Sequence, residues 1–228
     1  MSKVKEIRLA ILIPSHDQWA AQFGMDLAML VAKLPVETDK HRIVRMDIYN
    51  KKGSLLANQR QDLLERAINA GHTHALFIDS DQTFPADLAH MLLYRQKQVV
   101  ACNVATKSIP SWPTARKNNG TVKGELVFTT PESTGLEEVW RVGTGVMLID
   151  LNIFKREGMA KPWFPQEWNA AGTAYNGEDW GFCERLEKAG VKIYIDQDVS
   201  KEIGHIGRFE YHHKMIDPEK AKRVIEAA

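Results

Sequence analysis

The chain has 228 residues, 44% hydrophobic and 26% charged, the proportions of an ordinary globular protein rather than a disordered one. That length supports one domain with a full core, or at most two small ones. With 30 basic and 29 acidic side chains the formal charge is +1, which supplies no electrostatic footprint for tight, unspecific nucleic-acid binding.

Two cysteines, Cys102 and Cys183, make neither a disulfide framework nor a zinc-ligand spacing, and both read as buried free thiols of a reducing compartment. The N-terminal stretch carries Lys3, Lys5 and Arg8 before a short apolar run, lacks a small-residue cleavage site and is ended by Pro14, His16 and Asp17, so it does not read as a signal peptide. No apolar stretch approaches the roughly 18 residues that span a bilayer. The expectation is a soluble, cytoplasmic protein with no membrane partner.

In chain order, Ile7 to Ile13 is almost continuously apolar, as in a strand covered on both faces, and Pro14 is expected to stop it. Phe23, Leu27, Leu30, Val31 and Leu34 follow helical spacing up to Pro35. His41 to Tyr49 alternates as a second strand. Asn58 to Ala70 forms an amphipathic helix closed by Gly71. Ala75 to Asp79 is a third strand, Pro85 to Gln96 another helix and Val99 to Asn103 a fourth strand. This alternation predicts an α/β fold, a single Rossmann-like domain with a mostly parallel sheet flanked by helices.

The second half predicts a smaller, mixed β region. Residues 104 to 138 are rich in Pro, Gly, Thr, Ser and Lys, with a hairpin expected from Gly120 to Phe128. Val139 to Asp150 reads as one strand containing Gly143-Thr144-Gly145. Glu178 to Ala189 is a helix capped by Gly190, Val191 to Ile195 a final strand, and the tail from Asp217 a short helix. No repeat or linker divides residues 1–228, so one domain is expected, with 1–103 as a binding half and 104–228 as a catalytic half.

Asp79-Ser80-Asp81 falls at the C-terminal end of a strand, where ligands bind in open α/β sheets. Carboxylates at i and i+2 on a turning chain can both reach one hard cation, which in turn bridges phosphate oxygens. On its own the motif reads equally as an acidic turn. The context around it adds an ordered set of further stretches: Ile11-Leu12-Ile13-Pro14-Ser15, Ala57-Asn58-Gln59-Arg60, Leu76-Phe77-Ile78-Asp79-Ser80-Asp81, Val142-Gly143-Thr144-Gly145-Val146, Gly177-Glu178-Asp179-Trp180-Gly181-Phe182 and Gly204-His205.

In that set the chain resembles glycosyltransferases of the A-type fold and is similar to their large inverting family. The resemblance spans positions 11 to 205. It implies a metal-dependent transfer of a sugar, a hexose foremost, from a nucleoside diphosphate sugar to a hydroxyl acceptor, with a UDP-sugar as the expected donor. Asp81, Asp79 and His205 would hold the metal. A neutral imidazole suits manganese better than magnesium, so Mn2+ is expected ahead of Mg2+. Asp179, with Glu178 beside it, would be the general base, and one base without a nucleophile implies inversion. Acids in a first helical turn are also stabilised by the helix dipole, by about 0.3–1 kcal/mol, with no catalysis involved.

The same resemblance places Pro14, Ser15 and Asp17 at the base and ribose, and Asp79 and Ser80 on the donor. Arg60 would meet the base or a phosphate oxygen, unless it is a solvated helix-start arginine. Lys107 or Arg116 would close over the diphosphate, and Gly145 would lie beneath the sugar and acceptor. Among Trp163, Phe164, Trp168, Tyr175 and Trp180, some are expected to face the acceptor as stacking platforms. The acceptor stays open between a glycan, a protein and a modified DNA base. The DNA alternative is a viral-type enzyme acting on hydroxymethylated pyrimidines, in host cytoplasm, with Arg208-Phe209-Glu210-Tyr211-His212-His213-Lys214 as its contact tail. A non-catalytic sugar-nucleotide-binding module is the alternative of another class. Nucleotidyl transfer would want a Gly-rich basic loop that Pro14 to Phe23 does not supply.

Overall fold

The computed structural model describes residues 4–168, 172–173, 175–207 and 210–226. Strand β1 (Lys5–Ser15) leads to helix α1 (Ala21–Lys33), then β2 (His41–Lys52), α2 (Leu56–Asn69), β3 (His74–Ile78), the short β4 (Gln82–Thr83), α3 (Leu88–Tyr94) and β5 (Val99–Ala101). The hairpin strands β6 (Arg116–Lys117) and β7 (Glu125–Leu126) precede β8 (Leu136–Val139) and β9 (Val146–Asp150). Then come β10 (Glu167–Trp168), β11 (Tyr175–Asn176), α4 (Glu178–Lys188), β12 (Ile193–Asp196), α5 (Gln197–Ser200), β13 (Gly204–Ile206), β14 (Glu210–Tyr211) and α6 (Pro218–Glu226).

The central sheet has seven strands in the order β2-β1-β3-β9-β5-β12-β8. Strands β2, β1, β3, β5 and β12 share one direction, and β9 and β8 run against them, so the sheet is mostly parallel. Its two faces bury separate cores. Ala10 and Leu12 of β1 pack with Leu63, Leu64 and Ala67 of α2 and Phe182 and Leu186 of α4. The alternate residues Leu9, Ile11 and Ile13 pack with Phe23, Leu27 and Leu30 of α1 and Leu88 and Leu92 of α3. This period-two division explains why β1 reads as continuously apolar.

Three expectations are corrected. Pro14 does not end the first strand, which pairs β2 through Ser15. Strand β3 pairs β1 only from Leu9 to Leu12, so at Pro14 that side of the strand is an edge, where a missing N–H is tolerated. Val139 to Asp150 is two strands rather than one. Strand β8 lies on the sheet's outer edge and β9 at its centre, and residues 140–145 carry the chain across between them. Lastly, β12 is not the final strand: β14, β13 and β4 form a small antiparallel sheet beyond it. Both cysteines are buried free thiols on opposite cores, and burial pushes the Cys183 thiol up to about 12. Among the described residues no helix is long and apolar enough to cross a membrane.

Candidate active site

The site lies at the C-terminal ends of β1 and β3, where the strand ends splay and α2 begins. Ser15 closes β1, and its backbone N–H donates to Gln59 Oε1 at 2.8 Å, while Gln59 Nε2 donates to the Gly53 carbonyl at 2.8 Å. Asn50 Nδ2 donates to the Ser15 hydroxyl at 2.8 Å. These bonds brace a cavity of about 350 Å³ lined by Pro14, Ser15, Gln59, Asp79, Ser80 and Asp81. His16 and Gln18 complete its wall. Asp17 does not line it: its carboxylate is exposed and faces Lys52 Nζ at 3.5 Å. A larger cavity of about 680 Å³ lies under the C-terminal tail, yet it contains none of the clustered carboxylates.

Arg60 is not a solvated helix-start arginine. Its side chain is only 1% exposed and occupies the centre of the carboxylates. Nη1 donates to Asp79 Oδ1 at 2.8 Å and Nη2 to Asp79 Oδ2 at 3.3 Å, a bidentate pair. Nη2 also lies 3.6 Å from Asp179 Oδ1, and Nε 3.8 Å from Glu178 Oε1. Burial works against the guanidinium's charge, but Asp79 and Asp179 outweigh it and raise its pKa. Burial and the adjacent Asp179 raise the Glu178 carboxyl, against the pull of Arg60. The arginine therefore joins the first carboxylate of the motif to the start of α4.

The late histidine arrives by strand pairing. In the small sheet His205 of β13 sits opposite Gln82 of β4, and the Ile206 N–H donates to the Asp81 carbonyl at 2.7 Å. His205 Nδ1 meets the Ala105 carbonyl at 2.9 Å, which can only accept, so the proton sits on Nδ1. Nε2 then faces Asp81 Oδ1, 3.4 Å away: with a proton it donates to that carboxylate, and without one it presents a lone pair at the same place. Lys107 Nζ forms an ion pair with the other Asp81 oxygen. Burial alone would raise Asp81, but hydrogen bonds from His205 and Lys107 hold it down at about 2.

The expected metal trio is not assembled as such. Among the described residues no three His, Cys, Asp or Glu side chains converge as a metal set, and both Asp79 oxygens accept from Arg60. Asp81 and His205 do fit a divalent cation. One offers an ionised oxygen, the other a lone pair fixed by a bond at its far nitrogen, and the Lys107 ammonium already occupies a cation position on the carboxylate.

On the far side of Arg60, Thr144 is fully buried and its hydroxyl donates to Asp179 Oδ1. Gly145 accepts the Asp79 N–H at 2.8 Å, and a Cβ there would come within 3.4 Å of Asp79 Oδ2 and Gln82 Nε2. The aromatic group divides: Trp163 and Phe164 are core, the first tilted against Phe154 and the second stacked on Phe182, whereas Trp168 and Tyr175 are exposed. Arg116 stands 5.4 Å over the Trp180 ring, away from Asp81. Of the proposed DNA-contact tail, Arg208 and Phe209 lie outside the described residues. Tyr211 and His213, the latter bonded to the Asn103 carbonyl, are folded inward, while Glu210, bonded to Thr83, is exposed.

The sheet order and its flanking helices are those of the A-type glycosyltransferase fold. Comparison with solved structures agrees. A197 from STIV superposes with a TM-score of 0.57 at 16% identity over 88% of this chain and 86% of that one. GalNAc-T7, solved with UDP, GalNAc and Mn2+, gives 0.54 at 9% identity over 89% of this chain and 44% of that one. S. aureus TarS 1-349 in complex with UDP-GlcNAc gives 0.51 at 12% identity over 96% and 64%. The chain thus spans less than two thirds of the last two. No protein-family model and no curated protein matches the sequence.

Proposed function

We propose that the protein is a glycosyltransferase that moves a sugar, a hexose foremost, from a nucleoside diphosphate sugar to a hydroxyl acceptor with inversion. The observation that carries this reading is the Arg60 junction. One guanidinium lies 2.8 Å from Asp79 and 3.6 Å from Asp179, so a donor anchor and a candidate base sit a single side chain apart. The cavity between Pro14, Ser15, Gln59 and Ser80 seats the nucleotide, a UDP-sugar being the expected donor.

Asp179 removes the proton from the acceptor hydroxyl. Thr144 and Arg60 both contact Oδ1, orienting the carboxylate, while Oδ2 is the oxygen that takes the proton. Asp81 and His205 would hold a manganese or magnesium ion, which when bound offsets the charge developing on the diphosphate. The position of Lys107 favours a second reading, in which its ammonium supplies that charge and no metal is required. Chelation separates the two: loss of turnover with EDTA supports the first, and full retention the second.

The test of the base is Asp179→Asn. Transfer should fall by about 10²–10⁴-fold with donor affinity unchanged. Unaltered turnover would remove Asp179 from the role.

A further inference from the structure

At the end of the sheet opposite the carboxylate cluster lies a cavity of about 320 Å³. The first residues of β1, β2 and β3, the last of β9 and the turn after α3 form its walls. Lys5, Lys40 and Lys97 line it, and Asp150 is the one carboxylate among its described walls, so three ammoniums stand against a single negative charge. Lys5 Nζ lies 3.6 Å from Asp150 Oδ2. Lys40 and Lys97 pair with no carboxylate among the described residues. They rest on rings instead, 3.4 Å over Tyr94 and 4.8 Å over Tyr194, and Lys40 also reaches the Tyr94 carbonyl at 3.5 Å.

Two buried imidazoles in the same walls register that excess. Lys5 Nζ approaches His74 Nε2 to 3.4 Å. An ammonium can only donate, so Nε2 presents its lone pair and the ring is neutral, with its proton on Nδ1 facing Thr73 Oγ1 at 3.0 Å. Burial and then Lys5 lower His74 to about 4, against Asp150. Burial and then His90 lower His41 to about 4; Lys40 adds to this, and Asp39, outside the walls, opposes it. A cavity lined mainly by one sign of charge, with low-dielectric walls, concentrates counter-ions. Ammoniums brought from three separate segments suit an anion with several oxygens.

We propose that this cavity binds a multivalent oxyanion of the phosphate class, phosphate or pyrophosphate, at a site separate from the donor site. Lys5, Lys40 and Lys97 supply its counter-charge, and Asp150 weakens it by repulsion. The bound anion ties the starts of β1 and β2 to the turn after α3, so occupancy stabilises the fold.

The test is calorimetric titration of the full chain with phosphate and with pyrophosphate, without divalent metal and in chloride buffer of matched ionic strength. At least one of the two should bind saturably and raise Tm, where added chloride does neither; binding of only one would support the site and size its anion. Lys97→Gln, an exposed replacement, should weaken that binding about tenfold, the effect of one lost charged hydrogen bond. Asp150→Asn keeps a side-chain oxygen for the Asn152 N–H and should tighten it about threefold or more. The two changes act in opposite directions, so a general loss of folding cannot imitate them. No saturable binding, unchanged affinity in Lys97→Gln, or weaker binding in Asp150→Asn would overturn the proposal. UDP should leave the titration unchanged; displacement of the anion by UDP would place it in the donor site and overturn the proposal as well.

Discussion

The two halves of the molecule build their parts of the site by different means. In residues 5–103, long strands buried on both faces deliver Ser15, Asp79 and Asp81 to one edge, so position follows from the sheet itself. In residues 104–226, most strands outside the sheet centre are two or three residues long; Asp179 and Thr144 are held by their mutual side-chain bond, and His205 by a three-residue strand and its bond to the Ala105 carbonyl. Damage to the first half should therefore be read mainly as lost stability, and damage to the second mainly as lost turnover. Arg60 belongs to the first by sequence and to both by contact.

The largest effect is expected there. Arg60→Met would leave Asp79, Glu178 and Asp179 without their buried counter-charge and should cost about 3–5 kcal/mol in denaturant unfolding, with turnover lost as well. A loss under 1 kcal/mol would mean that the carboxylates do not depend on the guanidinium.

Acid should act next, and at the opposite end of the sheet. Burial, with His90 beside it, lowers His41 to about 4, and burial with Lys5 lowers His74 to about 4. Unfolded, each titrates near 6.5. Between those values the unfolded chain binds more protons than the native one, so stability is complete above pH 6.5 and declines as pH falls toward 4. Each should account for at most about 3 kcal/mol, and His41→Gln should flatten its part of the slope. An unchanged midpoint between pH 7 and 4.5 would contradict this.

A smaller and more selective change is expected from Thr144→Val. Losing one orienting hydrogen bond to Asp179 should lower kcat about tenfold, leave UDP affinity alone and cost about 1 kcal/mol of stability. A loss of stability with kcat unchanged would erase the contrast between the halves. Hydrogen exchange sharpens it further: amides of β1, β3 and β9 should be the last to exchange, and those of the β6–β7 hairpin among the first.

How much of this the sequence reveals follows the same division. The runs at Ile7 to Ile13 and Ala75 to Ile78 are apolar because both faces are covered, so strand type, direction and the strand-end place of Asp79 are legible. Strands β4, β13 and β14 are too short for any periodicity, and the pairing that sets His205 beside Asp81 is invisible without the fold. The break between β8 and β9 was masked by apolar residues on both sides of Gly143-Thr144-Gly145. Arg60 did leave a trace. It stands at i with Leu63, Leu64 and Ala67 at i+3, i+4 and i+7, on the buried stripe of α2, so its burial could have been inferred. Its partners could not, since they come from two distant segments.

The measurement that bears most directly on the central claim is thermal unfolding with UDP, with and without Mn2+, in the native chain and in Asp81→Ala. UDP should raise Tm in the native chain, by more when manganese is present, and the manganese increment should vanish in Asp81→Ala. No stabilisation by UDP or any other nucleoside diphosphate under either condition would contradict a donor site at Asp79-Ser80-Asp81.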